Sequence, residues 1–206
     1  MKIKLLLTFF ILLLFSSCGS SNRFEDYTQL PKLEEVYLKD FKLNEKYDYW
    51  EIRRGLMYYS SSEVYPDEVI YSFDKEKLNG LSSEAQLSLK TVDRDDILGF
   101  TSQCQPAFCP IYGVAIRENK AISITSDEEL LAFFDGINTE AELSIWAWAN
   151  EYKAKSYKEI KSGYSVVVGW DNLCGSRGED LIEVESDTGI IIQKERLFTK
   201  SYDGCV

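Results

Sequence analysis

The chain has 206 residues, of which 45% are hydrophobic, and its formal charge is −11 at pH 7. This length suits a single domain with a sizeable core, and the negative charge argues against a nucleic-acid partner, whose phosphates would be repelled. The chain contains no histidine, which excludes Ser-His-Asp and Cys-His nucleophilic sites in their usual forms and every His-ligated metal site. If the chain is an enzyme, its catalytic groups must be carboxylates, a Ser-Lys pair, Tyr or Lys. No cofactor is predicted.

The N-terminus has the pattern of an export signal. Two lysines precede an apolar run from Leu5 to Phe15, which is too short to remain as a spanning helix, and small residues follow it. The ending Phe15-Ser16-Ser17-Cys18 resembles the lipobox of bacterial lipoprotein precursors. The resemblance implies a signal peptide over 1–17 and a lipid, palmitate included, on Cys18. It also implies a membrane-anchored lipoprotein of the bacterial cell envelope, with the outer membrane favoured over the inner.

The charge of the mature chain bears on how it meets the membrane. The signal carries two of the 23 basic residues and none of the 34 acidic ones, so the mature charge is −13. Such an acidic chain is not expected to dock on anionic lipid through a basic patch. Attachment should come from the acyl chains on Cys18, each buried methylene of which contributes about 0.8 kcal/mol.

The first part of the mature chain carries weaker signals of structure. Residues 18–32 are polar and are predicted to form a flexible tether, followed by a single globular domain over 33–206. Apolar residues from Leu33 to Phe41 have helical spacing over a short stretch. The sequence then predicts strands at 50–59 and 68–73 and a short helix at 83–89.

The segment 111–152 has the clearest pattern. Two β-rich runs flank Glu118-Asn119-Lys120 and predict a hairpin. Ser126 and Glu129 have capping-box spacing ahead of an apolar stripe, and Gly136 is expected to end that helix. Thr139 and Glu142 repeat the box for a second helix that runs to about Tyr152.

The C-terminal part predicts strands only. The run 164–170 is apolar on both faces, as in a central strand, and 181–186 pairs with 190–199 across Asp187-Thr188-Gly189. The predicted fold is α+β, an antiparallel sheet with two or three helices packed on one face and stabilised by disulfides. Its core is expected to place the helical residues Leu130, Phe133, Phe134, Ile145 and Trp148 against the strand residues Val114, Ile116, Ile122, Ile124, Val166 and Val168.

Four cysteines remain after Cys18, an even number that suits an oxidising compartment. Locality in sequence favours the disulfides Cys104–Cys109 and Cys174–Cys205. Free thiols, a redox pair and a four-thiolate zinc site are the alternatives, although the spacing fits neither C-x-x-C nor the usual zinc pairs.

Aromatic residues supply the candidate binding surface. Trp146, Trp50, Tyr58 and Tyr59 could form a platform for sugars or peptides, and core packing is the alternative for each. Adjacent acids such as Glu128-Glu129 could serve as catalytic carboxylates, although negative charge in a first helical turn also stabilises the helix. Asp171, Asn172, Glu179 and Asp180 form the best local set for Ca²⁺, yet they lack the spacing of a calcium loop, so no metal site is predicted.

The expected function is binding or structural rather than catalytic. The favoured role is protein–protein interaction by a lipid-anchored envelope protein whose partners are the membrane, through its lipid, and an envelope protein or glycan. A glycan or small-ligand module that uses surface aromatics is the first alternative. A His-free hydrolase that uses carboxylates or a Ser-Lys pair is the second, and it requires a pocket that holds those groups.

Overall fold

The structure is a computed structural model of the chain and describes residues 23–55, 67–92, 99–102, 109–172 and 175–201. Cys18, Tyr58, Tyr59, Cys104, Cys174 and Cys205 lie outside these residues, so lipidation and the two disulfide pairings stay predictions. Cys109 is buried. Within the described ranges, no helix is long and apolar enough to cross a membrane.

Ten strands and four α-helices make up the described chain. The strands are β1 (Thr28–Gln29), β2 (Tyr49–Arg54), β3 (Glu68–Ser72), β4 (Thr101–Ser102), β5 (Pro110–Arg117), β6 (Lys120–Ile124), β7 (Lys153–Ile160), β8 (Gly163–Asn172), β9 (Ser176–Glu185) and β10 (Ile191–Ser201). The helices are α1 (Lys75–Leu78), α2 (Ser83–Lys90), α3 (Asp127–Phe134) and α4 (Glu140–Ala149). Two 3₁₀ turns, Leu33–Glu35 and Leu38–Asp40, stand where a short helix was predicted.

The strands form two antiparallel sheets rather than the single sheet predicted. Sheet A has the order β1-β7-β8-β9-β10, and sheet B has the order β3-β2-β5-β4 with β6 also paired to β5. The α+β class and the antiparallel pairing are confirmed. The helices do not share one face, because α2 packs on one side of sheet B while α3 and α4 belong to the core on its other side.

Both predicted hairpins are present. Glu118 and Asn119 adopt left-handed backbone angles, with φ of 52° and 64°, as a two-residue turn between twisted strands requires. The second hairpin joins β9 to β10, and β8 is a central strand between β7 and β9, as predicted. Strand β7 was not predicted, because its sequence Lys-Ala-Lys-Ser-Tyr-Lys-Glu-Ile is mostly polar.

The helix boundaries follow their caps. The Ser126 hydroxyl accepts the backbone N–H of Glu129 at 3.2 Å and starts α3. That helix ends one residue before the predicted stop, because Asp135 itself adopts the left-handed conformation, with φ of 58°. Thr139 and Glu142 form the predicted reciprocal box. Helix α4 then ends at Ala149 rather than Tyr152, since Lys153 already begins β7.

The main core lies between the two sheets. It includes Leu130, Phe133, Phe134 and Ile145, as predicted, with Trp148 partly buried beside it. Val114 and Ile116 were wrongly assigned to this core, because they alternate with Ala115 on β5 and point to the other face of sheet B. There they pack against Ala85 and Leu89 of α2 in a second, smaller core.

The ordered fold begins before residue 33. Thr28 and Gln29, inside the segment predicted as a tether, pair with Tyr157 and Ser156 of β7. At these two residues the segment therefore belongs to sheet A.

Glu142 links α4 to a distant part of the chain. Its side chain is fully buried, and its carboxylate accepts the backbone N–H groups of Asn138 at 2.6 Å, Thr139 at 2.9 Å and Lys42 at 2.6 Å. Burial raises the pKa of Glu142, and these three donors oppose that rise. The bond to Lys42 ties the segment before β2 to the start of α4.

The first prediction concerns this carboxylate. Glu142→Ala should reduce the free energy of unfolding by about 2–4 kcal/mol, because three backbone N–H groups lose the acceptor that this buried carboxylate provides. Glu128→Ala, at an exposed position in the first turn of α3, is the matched control and should change it little. Urea denaturation of both variants measures the difference, and equal midpoints would contradict the role given to Glu142.

Candidate functional site

The tryptophans predicted to form a binding platform are core residues. Trp50 is 0% exposed and Trp146 is 5% exposed, and the Trp146 indole N–H donates to the Gly189 carbonyl at 2.9 Å. Neither side chain can stack on a ligand from solvent. Tyr58 and Tyr59, their proposed companions, lie outside the described residues.

Two of the acidic residues considered for calcium, Asp180 and Glu179, are held by other contacts. Asp180 is buried, and its carboxylate is paired with Arg196 at 2.5 Å and accepts the side-chain amide of Gln193 at 3.0 Å. Glu179 pairs with Lys155 at 2.5 Å. No group of three or more metal-ligating side chains occurs in the part of the chain that the structure describes.

A different set of polar residues comes together on the face of sheet B that carries α2. Strand β2 places Tyr49, Glu51 and Arg53 on this face, because side chains two apart share one side of a strand. Tyr112 of β5 lies directly opposite Arg53, and Ser72 of β3 lies opposite Glu51. Three neighbouring strands thus supply one side-chain cluster.

Glu51 is the centre of this cluster. One of its oxygens, Oε1, accepts Nε of Arg53 at 2.6 Å and pairs with Nη2 at 2.5 Å, and the other, Oε2, accepts the Tyr49 hydroxyl at 2.5 Å. The Tyr49 oxygen lies 2.9 Å from Ser72 Oγ. Glu51 is almost fully buried, and the Arg53 side chain is 13% exposed. A buried carboxylate is tolerated here because its charge is paired and its oxygens accept hydrogen bonds.

Burial and the neighbouring charges together set the protonation of the cluster. Burial raises the pKa of Tyr49, and its hydrogen bond to Glu51 raises it further. Burial likewise raises the pKa of Tyr112, whose hydroxyl donates to Asp67. Burial alone would lower the pKa of Arg53, but the Glu51 carboxylate raises it on balance. At neutral pH both tyrosines are therefore neutral donors, and Arg53 is a cation.

A pocket of about 320 Å³ opens over this cluster, between β2, β3 and the helices α1 and α2. Val69, Leu78 and Leu89 form its apolar wall. Its polar lining residues are Glu51, Arg53, Asn79, Gln86 and Lys90. The volume lies at the lower end of the range for small-molecule sites. We call it the Glu51–Arg53 pocket.

The arrangement suits binding better than catalysis. Glu51 is almost fully buried and its oxygens already accept hydrogen bonds from Arg53 and Tyr49, and burial keeps both tyrosines protonated, which is unlike the accessible base that general-base catalysis uses. Arg53 is instead fixed in position by Glu51, and it lines the pocket beside an apolar wall. A preformed cation next to apolar surface is suited to orienting an anionic group on an apolar ligand.

The hydrolase alternative needs a pocket with two available carboxylates, and a second concave region is the candidate for it. It is lined in part by the three carboxylates of Glu35, Asp40 and Glu140. Glu35 and Asp40 accept the backbone N–H groups of Lys32 and Tyr37, the residues just before their 3₁₀ turns, at 3.3 and 2.8 Å, and Glu140 accepts the Tyr157 hydroxyl. These carboxylates hold local structure, as capping side chains do.

The pocket was not predicted from the sequence. The sequence feature that marks the pocket is the alternation in Tyr49-Trp50-Glu51-Ile52-Arg53. It places the charged residues on one face of the strand and the apolar residues on the other. That pattern normally indicates a solvated strand face. The helix α2, which has few large apolar residues, covers this face and buries the charges.

Comparisons with known proteins found no relative of this chain. No protein family, no curated protein and no solved structure matches this chain.

The second prediction tests the buried ion pair. Arg53→Met should reduce the free energy of unfolding by about 3 kcal/mol or more, because it leaves the Glu51 charge buried without its partner. Arg54→Met is the matched control, since Arg54 pairs with the exposed Glu68, and it should cost less than about 1 kcal/mol. Arg53→Met combined with Glu51→Met should recover part of the loss. Glu51→Met alone completes the double-mutant cycle. Urea denaturation of the wild type and the four variants gives the coupling energy between Glu51 and Arg53, and additive effects would contradict the pairing.

Proposed function

We propose that this chain is a lipid-anchored protein of the bacterial cell envelope whose domain binds a partner rather than catalysing a reaction. The signal and the lipobox-like ending at Cys18 support the anchor. The disulfides Cys104–Cys109 and Cys174–Cys205 belong to the same proposal, since both suit an exported chain.

One observation carries the binding role. The Glu51–Arg53 pocket holds a positioned arginine, fixed by a buried carboxylate, beside three apolar side chains. Stability alone gives no reason for this arrangement, because well-packed apolar residues in place of a buried ion pair are often neutral or stabilising. A binding function supplies a reason for a charged group to be kept at this position.

The lining defines the chemistry of the ligand. Arg53 and Glu51 neutralise one another, and Lys90 at the rim adds one positive charge. The apolar wall would pack against an apolar group of the ligand. A volume of about 320 Å³ accommodates one or two residues of a peptide. We infer that the ligand is the carboxylate end of an apolar peptide segment, which is consistent with a protein partner.

The alternatives make different demands on the site. A glycan module would need exposed aromatic rings, and Trp50 and Trp146 are both buried. A hydrolase would need two carboxylates that remain available to substrate, and those of Glu35, Asp40 and Glu140 accept hydrogen bonds from the protein.

The third prediction tests the anchor. Expressed with its signal in a bacterium, the wild-type protein should fractionate with membranes and carry a lipid on Cys18. Cys18→Ala should release the protein or stall its processing, because the acyl chains are lost. Membrane fractionation with mass spectrometry of the N-terminus makes the test. A soluble wild-type protein with an unmodified N-terminus would contradict it.

The fourth prediction tests the pocket. Isothermal titration should detect binding of short apolar peptides that end in a free carboxylate and none of the same peptides with an amidated C-terminus. Lys90→Glu should weaken this binding about tenfold or more, since it replaces an attractive charge at the rim with a repulsive one. The control is Lys75→Glu, an exposed change on α1 outside the pocket lining, which should leave binding unchanged.

Two outcomes would overturn the assignment of the ligand. Equal binding of the amidated peptides would show that the carboxylate is not recognised. Binding of neutral oligosaccharides, with no response to either peptide, would favour the glycan alternative.

A further inference from the structure

The first described residues run across the outer face of sheet A, the face turned away from the main core. Thr28 pairs with β7 at one edge of this sheet. Before it, the Tyr27 hydroxyl lies 2.8 Å from Ser165 Oγ on β8, and Asp26 pairs with Lys158. Arg23 then pairs with Glu195 of β10, at the opposite edge, at 2.5 Å. The chain therefore enters the domain beside β10.

This entry point limits how far the domain can lie from a lipid on Cys18. Five residue steps separate Cys18 from Arg23 in the sequence. A fully extended chain covers at most about 3.6 Å a residue, so the two Cα atoms are no more than about 18 Å apart. A folded domain of this size is wider than that, and the surface beside β10 is the part of it nearest to the lipid.

The surface near this point has an unusual composition for an acidic protein. Ile192 and Phe198 of β10 lie opposite Glu183 and Glu179 on the outer face, and Phe198 is 49% exposed. The two acids opposite them are paired, Glu183 with Lys194 at 2.8 Å and Glu179 with Lys155 at 2.5 Å. The negative charge of the chain is therefore locally balanced where two large apolar side chains are exposed.

We propose that the outer face of sheet A along β10 rests on the bilayer, with Phe198 and Ile192 inserted at the lipid–water interface. This inference rests on the proposed lipidation of Cys18. The short connection holds the face at the membrane, and apolar side chains on an electroneutral surface gain from burial at the interface without needing anionic lipid. The lipid surface is thus the occupant of this exposed strand face.

The experiment uses the lipidated full chain in vesicles of phosphatidylcholine, with and without bromine on the acyl chains. Phe198→Trp places a reporter on the proposed contact, and Leu87→Trp places one at an exposed position of α2, beyond sheet B. The four native tryptophans give the same background in both variants. We expect brominated lipid to quench the added fluorescence of Phe198→Trp and to leave that of Leu87→Trp unchanged.

A second measurement needs no reporter. Amide hydrogen exchange of the wild-type protein should slow along β10 when the protein is on vesicles, and α2 should exchange at an unchanged rate. A chain with a long Gly-Ser insertion after Cys18 should float with vesicles as before but lose part of both effects, because the face is no longer held at the surface.

The outcomes distinguish failure of the proposed lipid anchor from failure of the proposed orientation of the domain on the membrane. If the wild-type protein does not float with vesicles, both the lipidation and the membrane contact are overturned. If it floats, but quenching is equal for the two reporters or greater for Leu87→Trp, the anchor stands and the proposed face is wrong.

Discussion

The aromatic cluster around Trp50 is the contact on which the arrangement of the domain depends. The Trp50 ring lies 4.3 Å from Phe73, 4.8 Å from Phe41 and 5.0 Å from Phe133, measured between ring centroids. These residues come from β2, the turn after β3, the segment after the second 3₁₀ turn, and α3. A Cβ on Gly113 would lie 3.1 Å from the Trp50 indole nitrogen, so this position of β5 has no side chain where the ring packs. One indole thereby fixes α3 and the N-terminal segment against sheet B, and large aromatic surfaces contribute most to such burial.

Local signals in the sequence predicted many of the elements, although not β7, and did not predict their assembly. Capping by Ser126 and Thr139 and the hairpin turn at Glu118-Asn119 depend on residues three or fewer apart, and the structure contains all three. The division into two sheets depends on which strands pair across long separations, such as β2 with β5, and no local pattern encodes it. The assignment of Val114 and Ile116 failed for the same reason. Their alternation on β5 shows which residues share a face, but not that α2 covers that face.

The candidate site was harder to predict, because it depends on charges that the fold buries. Glu51 and Arg53 look like residues of a solvated strand until Tyr49, Tyr112 and α2 enclose them. Abundant tryptophan, by contrast, indicated a surface platform, whereas Trp50 and Trp146 proved to fill the core. A buried ion pair is costly unless both partners are satisfied, so its presence beside a pocket points to a function more strongly than aromatic content does.

The two proposed surfaces lie on opposite sides of the molecule. From one side to the other, the layers are the outer face of sheet A, the main core, sheet B and α2. The Glu51–Arg53 pocket opens between sheet B and the helices, whereas the chain enters beside β10 on the outer face of sheet A. A domain that rests on the bilayer through β10 would therefore direct the pocket away from the membrane. A carboxylate ligand would then reach Arg53 and Lys90 from the aqueous side, where neither the lipid nor the short connection to Cys18 obstructs it.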